Sequence, residues 1–116
     1  MNENVKFKYL YRDAGNYKSW GETVFSNPDG LLPHEIENRL KNAFLHREVF
    51  FASQIGIREV FLYPKGSPAE DDHCFHEYDT VELTNEAPND FYNRTIKDFV
   101  KQVEIESSTG WRIFVP

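Results

Sequence analysis

The chain has 116 residues, of which 40% are hydrophobic, 16% are aromatic and 28% are charged. This length predicts a single domain, residues 1–116, with a core of its own. The formal net charge of −6 argues against nucleic-acid binding and against docking on anionic membranes, because both need a basic surface. An acidic surface favours solubility and would suit a basic protein partner.

The sequence also indicates a compartment. Its one cysteine excludes an internal disulfide and fits a reducing environment. Residues 1–4 lack the basic start and apolar stretch of a signal peptide. No apolar run approaches the roughly 18–20 residues that span a bilayer. We therefore expect a cytoplasmic protein.

The first part of the chain predicts a β-hairpin. Residues 5–12 (VKFKYLYR) alternate apolar and polar side chains at the period of a strand, and residues 20–26 (WGETVFS) give a second strand pattern. Gly15 and Asn16 form a turn signal between them. The lysines of the first strand suit a solvated sheet face.

The loop of this hairpin is the first of two candidate functional sites. Loops carried on a rigid sheet commonly bind partners or ligands. The candidate ligand- or partner-binding residues are Arg12, Asp13, Asn16, Tyr17 and Trp20. The alternative is a structural loop, held by an Arg–Asp contact and by asparagine in a left-handed turn.

Two amphipathic helices are predicted. The first begins at Pro33, carries an apolar side chain every four residues and ends near His46 and Arg47. The second begins near Pro88 or Asn89 and ends at residues 107–110. Their apolar stripes consist of Leu32, Ile36, Leu40 and Phe44 in the first helix, and of Tyr92, Ile96, Phe99, Val100 and Val103 in the second.

Four further stretches indicate strands. They are a short apolar run at 49–51, a better pattern at 59–63, a stretch running from residue 71 to residue 83, and a last strand at 111–115. These patterns predict an α+β fold: a two-layer sandwich with a mainly antiparallel sheet of about five or six strands and two helices on one face.

The second candidate site is the stretch 71–77 (DDHCFHE), which holds two histidines, the only cysteine and three carboxylates. In an extended strand alternate residues share a face, so Asp72, Cys74 and His76 would lie together. A thiol, an imidazole and a carboxylate suit zinc. A closed zinc site usually draws on a second pair of ligands, and the sequence has no such pair. Zinc is therefore the only cofactor that the sequence suggests, and only weakly.

Other chemistry at this stretch is less well supported. A nucleophilic Cys74 assisted by His76 is disfavoured, because the six carboxylates nearby in sequence would raise the thiol pKa. Acid–base catalysis by Asp72 and Glu77 would need a cleft that binds a substrate beside them. The alternative is that Cys74 is a small buried hydrophobic residue. No phosphate-binding loop, nucleophile elbow or metalloprotease motif is present, so no motif fixes a reaction.

Three segments resemble a family of small uncharacterised bacterial proteins. They are residues 11–18 (YRDAGNYK), 24–30 (VFSNPDG) and 71–77 (DDHCFHE). The resemblance implies a bacterial, cytoplasmic, stand-alone domain and brings no activity, ligand or catalytic residue with it.

Three hypotheses about function follow. The first is a non-enzymatic protein-interaction or regulatory module, whose acidic surface or sheet edge engages another protein or its own copy as a homodimer. The alternative is a small metal-binding protein or metal-dependent enzyme that uses Asp72, Cys74 and His76. A third is a carrier that holds a small ligand in an aromatic pocket between sheet and helices.

Overall fold

The computed structural model describes residues 3–13, 15–62 and 73–112. In chain order the elements are β1 (Asn4–Arg12), β2 (Lys18–Phe25), α1 (Pro33–Ala43), β3 (Val49–Phe50), a 3₁₀ helix (Ala52–Ile55), β4 (His76–Thr84) and α2 (Ile96–Thr109). The four strands form one antiparallel sheet in the order β2-β1-β4-β3. None of the helices in these ranges is long and apolar enough to cross a membrane.

Strand β1 is central, and its alternating sequence gives the sheet two different faces. The inner face carries Val5, Phe7, Tyr9 and Tyr11, all fully buried. Both helices pack on this face: the Phe7 ring lies 5.2 Å from Phe99 of α2 and 6.4 Å from Phe44, which directly follows α1. The α+β class, the single antiparallel sheet and the two helices are thus as predicted. The outer face carries Lys6, Lys8, Leu10 and Arg12 of β1.

The predicted strand count of five or six is wrong, since the described sheet has four strands. Residues 59–62 form no strand, because backbone groups in and beside this segment bond to core side chains instead of to a neighbouring strand. The Val60 N–H donates to His76 Nε2 at 3.0 Å, and the Arg58 carbonyl accepts from the Tyr9 hydroxyl at 2.5 Å. Trp111 and Arg112 are not in a strand, and the rest of the predicted last strand lies outside the described residues.

Both predicted helices exist, but two of their boundaries are wrong. Helix α1 begins at Pro33 as predicted and ends at Ala43. His46 and Arg47 lie beyond it with positive φ angles of 50° and 65°, in the turn that leads to β3. Helix α2 begins only at Ile96, where the side chain of Thr95 accepts from the Asp98 N–H at 3.1 Å and caps the helix.

The late start of α2 has a structural cause at Asn89, which pairs with β2 instead of capping a helix. The Val24 N–H donates to Asn89 Oδ1 at 2.8 Å, and the Asn89 N–H donates to the Val24 carbonyl at 2.9 Å. The Ile96 N–H then donates to the Ser26 carbonyl at 2.8 Å. The segment between β4 and α2 therefore closes the last part of the β2 edge.

Arg94 anchors this segment to the core. Its guanidinium contacts both oxygens of Asp90 at 2.9 Å and donates to the carbonyls of Ile55 and Gly56 at 2.8 and 3.0 Å. The Asp90 side chain is only 2% exposed. Burial alone would raise the Asp90 pKa, but the hydrogen bonds and charge of Arg94 outweigh it, so the pKa is lowered.

Candidate functional site

The predicted loop site is a closed hydrogen-bonded turn. Arg12 donates through Nε to Glu77 Oε2 at 3.0 Å and through Nη1 to Asn16 Oδ1. The Tyr17 N–H donates to Asp13 Oδ1 at 2.9 Å. Asn16 has the left-handed φ of 66° expected from its sequence position. Arg12 thus pairs with Glu77 and Asn16 and not with Asp13, and its head group is committed to holding the loop.

Residues 73–77 pack against this loop. The His73 Nε2–H donates to the Arg12 carbonyl at 2.6 Å, so Arg12 joins the two candidate sites. Cys74 is a buried free thiol. Strand β4 begins only at His76, so the face alternation assumed for Cys74 does not apply to it. Asp72 lies outside the described residues.

His76 is a core residue. Its ring lies among the rings of Tyr9, Tyr11 and Phe61, at centroid distances of 6.0, 5.6 and 4.9 Å. Because Nε2 accepts from the Val60 N–H, the proton of the neutral ring resides on Nδ1. Burial, and then the charge of His73, lower the His76 pKa to about 4. His76 is therefore uncharged at neutral pH.

Within the described part of the chain, no three His, Cys, Asp or Glu side chains group so that they could hold a metal ion. The proposed zinc ligands Cys74 and His76 are both buried, and the third, Asp72, is not described. The metal-binding hypothesis stays a prediction.

A different site emerges at the edge of β2. In an antiparallel strand, successive residues direct their N–H and C=O groups alternately to one neighbour and to the other. Val24 directs both groups away from β1, towards Asn89. Lys18, Trp20 and Glu22 share this outward orientation, and none of their outward backbone groups has a hydrogen-bond partner in the described ranges.

The other strand edges differ from this one. At β3, the N–H and C=O of Val49 bond to Leu45 at 3.0 and 2.9 Å. Among the described residues, β4 also has no neighbouring strand beyond Tyr78, but there α1 lies close, and the Tyr78 hydroxyl donates to Glu37 at 2.7 Å. The side chains of Asp79 and Glu82 place negative charge along that edge. The β2 edge over residues 18–22 is the most accessible of the three.

Two adjoining clefts flank the β2 edge and share Glu22 and Arg58. Exposed aromatic rings lie beside them: Trp20 is 54% exposed and Phe91 is 89% exposed. The larger cleft, of about 560 Å³, is lined by Lys8, Trp20, Gly21, Glu22, Arg58 and Asp79. The smaller, of about 410 Å³, is lined by Glu22, Thr23, Gly56, Ile57, Arg58, Asn89, Asp90 and Phe91.

The middle of this edge rests on a buried ring. A Cβ atom at Gly21 would lie 2.5 Å from Cζ of Tyr9, so the strand approaches the ring as closely as it does only because this residue is glycine. The Tyr9 hydroxyl is fixed by its bond to the Arg58 carbonyl, and burial raises the Tyr9 pKa to about 12. The Tyr9 ring therefore supports the middle of β2 from the inner face of the sheet.

The sequence singled out Trp20 and Tyr17 but missed Lys18, Glu22 and Arg58 at the same site. Lys18 and Glu22 lie two residues before and after Trp20, so the period of a strand places all three side chains on one face. That period was the signal that could have found them. Whether a strand is at an edge depends on its neighbours, and β2 is separated by 65 residues from the Asn89 that closes its far end.

The fold and this edge define a small α+β domain with one exposed strand edge beside aromatic side chains. No family model matches the chain, and neither the curated proteins nor the solved structures give a significant match. The resemblance to small bacterial proteins therefore stays a prediction.

Proposed function

We propose that the protein is a non-enzymatic protein-interaction module that binds an extended segment of a partner protein along the edge of β2. The observation that carries this proposal is the set of outward N–H and C=O groups on Lys18, Trp20 and Glu22, which have no partner among the described residues. An added strand would satisfy these groups, and proteins commonly use such edges to bind peptides.

The side chains around the edge support a peptide as the occupant. Trp20 offers a large exposed ring at low entropic cost, as is common at protein interfaces. The larger cleft has cations at Lys8 and Arg58 and carboxylates at Glu22 and Asp79. This mixture suits a segment with side chains of both charges better than an anionic ligand.

The arrangement of His76 and Glu77 favours binding over catalysis. His76 is buried, and its Nε2 is engaged by the Val60 N–H. Glu77 is held by Arg12 at 3.0 Å. Acid–base catalysis needs such groups within hydrogen-bonding reach of a substrate, and the structural bonds of these two residues oppose that role.

The proposal is tested with a displayed library of random peptides of about ten residues, selected on the immobilised protein. Affinities of the selected peptides are measured for wild type, Glu22→Pro and Glu22→Ala. Proline removes the outward N–H of residue 22 without removing a bond to β1, so the fold is expected to survive. Loss of that hydrogen bond and the proline ring at the edge should weaken binding at least about tenfold.

The Glu22→Ala variant is the matched control, since it removes the side chain but keeps the N–H. Its affinity should stay within about threefold of wild type. Failure of the library to yield any binder would contradict the proposal. Selected peptides that bind Glu22→Pro as tightly as wild type would also contradict it, because they would occupy another surface.

A further inference from the structure

We infer that the strand that fits this edge is β2 of a second copy of the chain, paired antiparallel about a twofold axis at Trp20. The inference rests on the proposed function and names the partner. It follows from which backbone groups are open, which side chains would then face each other, and where the neighbouring loops lead.

The open segment allows one register. Hydrogen-bonded pairs in an antiparallel ladder must join residues that both face outward. With Trp20 opposite Trp20 of the second copy, Lys18 lies opposite Glu22 at each end, and the three pairs give about six hydrogen bonds. Moving the register by two residues would oppose Lys18 to Val24, whose groups are taken by Asn89. The opposite move would place Glu22 against Asn16, which is in a left-handed turn.

The side chains in this register are complementary. Lys18 makes no ion pair with any residue in the described ranges, and it would face the carboxylate of Glu22 in the second copy. Among the described residues, Glu22 makes an ion pair with Lys6 alone, at 3.8 Å, and Lys6 lies closer to Glu86. The two Trp20 rings would meet at the axis on the outer face, where each is about half exposed in the single chain.

The flanking loops leave room for the second strand. The turn before β2 folds back towards β1, because the Asp13 N–H donates to the Tyr17 carbonyl at 3.0 Å. It therefore crosses to β1, on the side of β2 opposite to the second strand. Pairing would join the two four-stranded sheets into one continuous sheet.

The test is a pair of charge reversals, Lys18→Glu and Glu22→Lys, studied by sedimentation equilibrium. Wild type should form a dimer of about 27 kDa, twice the 13.7 kDa of one chain. Each single reversal places like charges at both ends of the paired strands and should weaken the dimer at least about tenfold. The control is Lys101→Glu, an exposed position on α2 outside both clefts; it changes the net charge by the same amount as Lys18→Glu and should leave the dimer intact.

Mixing the two single variants tests the register itself. One chain then has carboxylates at residues 18 and 22 and the other has ammonium groups there, so each opposed pair is again attractive. Native mass spectrometry with one chain isotopically labelled should show a heterodimer with the affinity of the wild-type dimer restored to within about threefold. Reversals that do not weaken the dimer, or a mixture that does not restore it, would overturn the inference.

Two outcomes separate this inference from the proposed function. Wild type that stays monomeric at 1 mM, roughly the weakest range of specific pairing, overturns self-pairing. Peptide binding that is sensitive to Glu22→Pro would still support the module in that case. A dimer that survives Glu22→Pro unchanged overturns self-pairing at β2 whatever the peptides do.

Discussion

Gly21→Ala should destabilise the protein markedly, because it adds a methyl group where the strand touches a buried ring. The new Cβ would lie 2.5 Å from Cζ and 2.8 Å from the hydroxyl oxygen of Tyr9. Ordinary contacts between carbon atoms lie near 3.5–4.0 Å, so either the ring or the strand must move by about 1 Å. The Tyr9 ring cannot yield easily, since it packs against Phe7 and Phe50 and its hydroxyl bonds to Arg58.

The magnitude follows from three contributions. Overpacking of a well-filled core costs about 1–3 kcal/mol. Displacing the ring also weakens the hydrogen bond between Tyr9 and the Arg58 carbonyl, which contributes about 0.5–1.5 kcal/mol. Alanine restricts the unfolded chain and returns about 0.4–1 kcal/mol. Taken at the middle of each range, these contributions give a loss of about 2 kcal/mol in the free energy of unfolding, or a fall in Tm of roughly 8–10 °C for a domain of this size.

Urea unfolding at low protein concentration measures this change without a contribution from self-association. Gly15→Ala is the matched control. Its Cβ would meet the Tyr17 ring at 3.3 Å and Asp13 Oδ1 at 3.4 Å, and the Tyr17 side chain is 73% exposed and can move aside. The control should lie within about 0.5 kcal/mol of wild type. In Gly21→Ala the further change Tyr9→Phe should cost less than it does in wild type, because the hydroxyl bond is already weakened. Equal stabilities of the two alanine variants would refute the reasoning.

Two further predictions concern buried ionisable groups. Burial and His73 lower the His76 pKa to about 4, so the unfolded chain binds more protons between pH 6.5 and 4. The contribution of neutral His76 to the free energy of unfolding is complete above pH 6.5 and falls by roughly 3 kcal/mol towards pH 4. Urea unfolding should show this pH dependence in wild type and in the control His34→Gln, which replaces an exposed histidine. An equal pH dependence in His76→Phe would contradict the prediction. Arg94→Ala leaves the Asp90 carboxylate buried and unpaired, so it should cost about 3–5 kcal/mol, with Arg94→Lys recovering part. Equal losses in the Ala and Lys variants would argue against the forked contact as the source of stability.

The central strand and the first helix could be predicted because their signals are local. Residues 5–12 alternate apart from Leu10, and a strand with one buried face needs only that period. Pro33 pre-sets the first turn of α1, and Ile36 and Leu40 enter the core as the four-residue spacing indicates. Neither inference depended on a distant part of the chain.

The errors arose where a distant contact decided the local structure. Residues 59–63 have the composition of a strand, but Val60 bonds to His76, 16 residues away, and its neighbour Arg58 bonds to Tyr9, 49 residues away. Tyr92 has the spacing of an α2 core residue, yet Asn89 bonds to Val24, and residues 90–93 form a turn before the helix. Intrinsic propensity cannot report such pairings, because they depend on tertiary context.

The binding role of the loop residues stays a prediction. Trp20, the last of these residues, lies within β2, and its exposed ring is beside the strand edge. Arg12, Asp13 and Asn16 have the composition of a binding loop, but their side chains hold the turn. Arg12 bonds to Asn16 and to Glu77, and Asp13 accepts from the Tyr17 N–H. Side-chain type alone does not distinguish a polar group that binds a partner from one that holds a turn.

The charges of Lys18 and Glu22 on β2 can both discourage unselective strand pairing at this edge and select one partner strand. In the antiparallel register centred on Lys18, two lysines would be opposed, and in the one centred on Glu22, two glutamates would be opposed. Like charges directly opposite one another destabilise strand pairing, so both of these registers are disfavoured. Only the register centred on Trp20 pairs Lys18 with Glu22 at both ends. Residues 18–22 contain no proline, and a strand edge without one can pair with other strands unselectively. The charge pattern disfavours the two registers that oppose like charges, while the contact of Asn89 with Val24 and the turn at Asn16 exclude the registers between them.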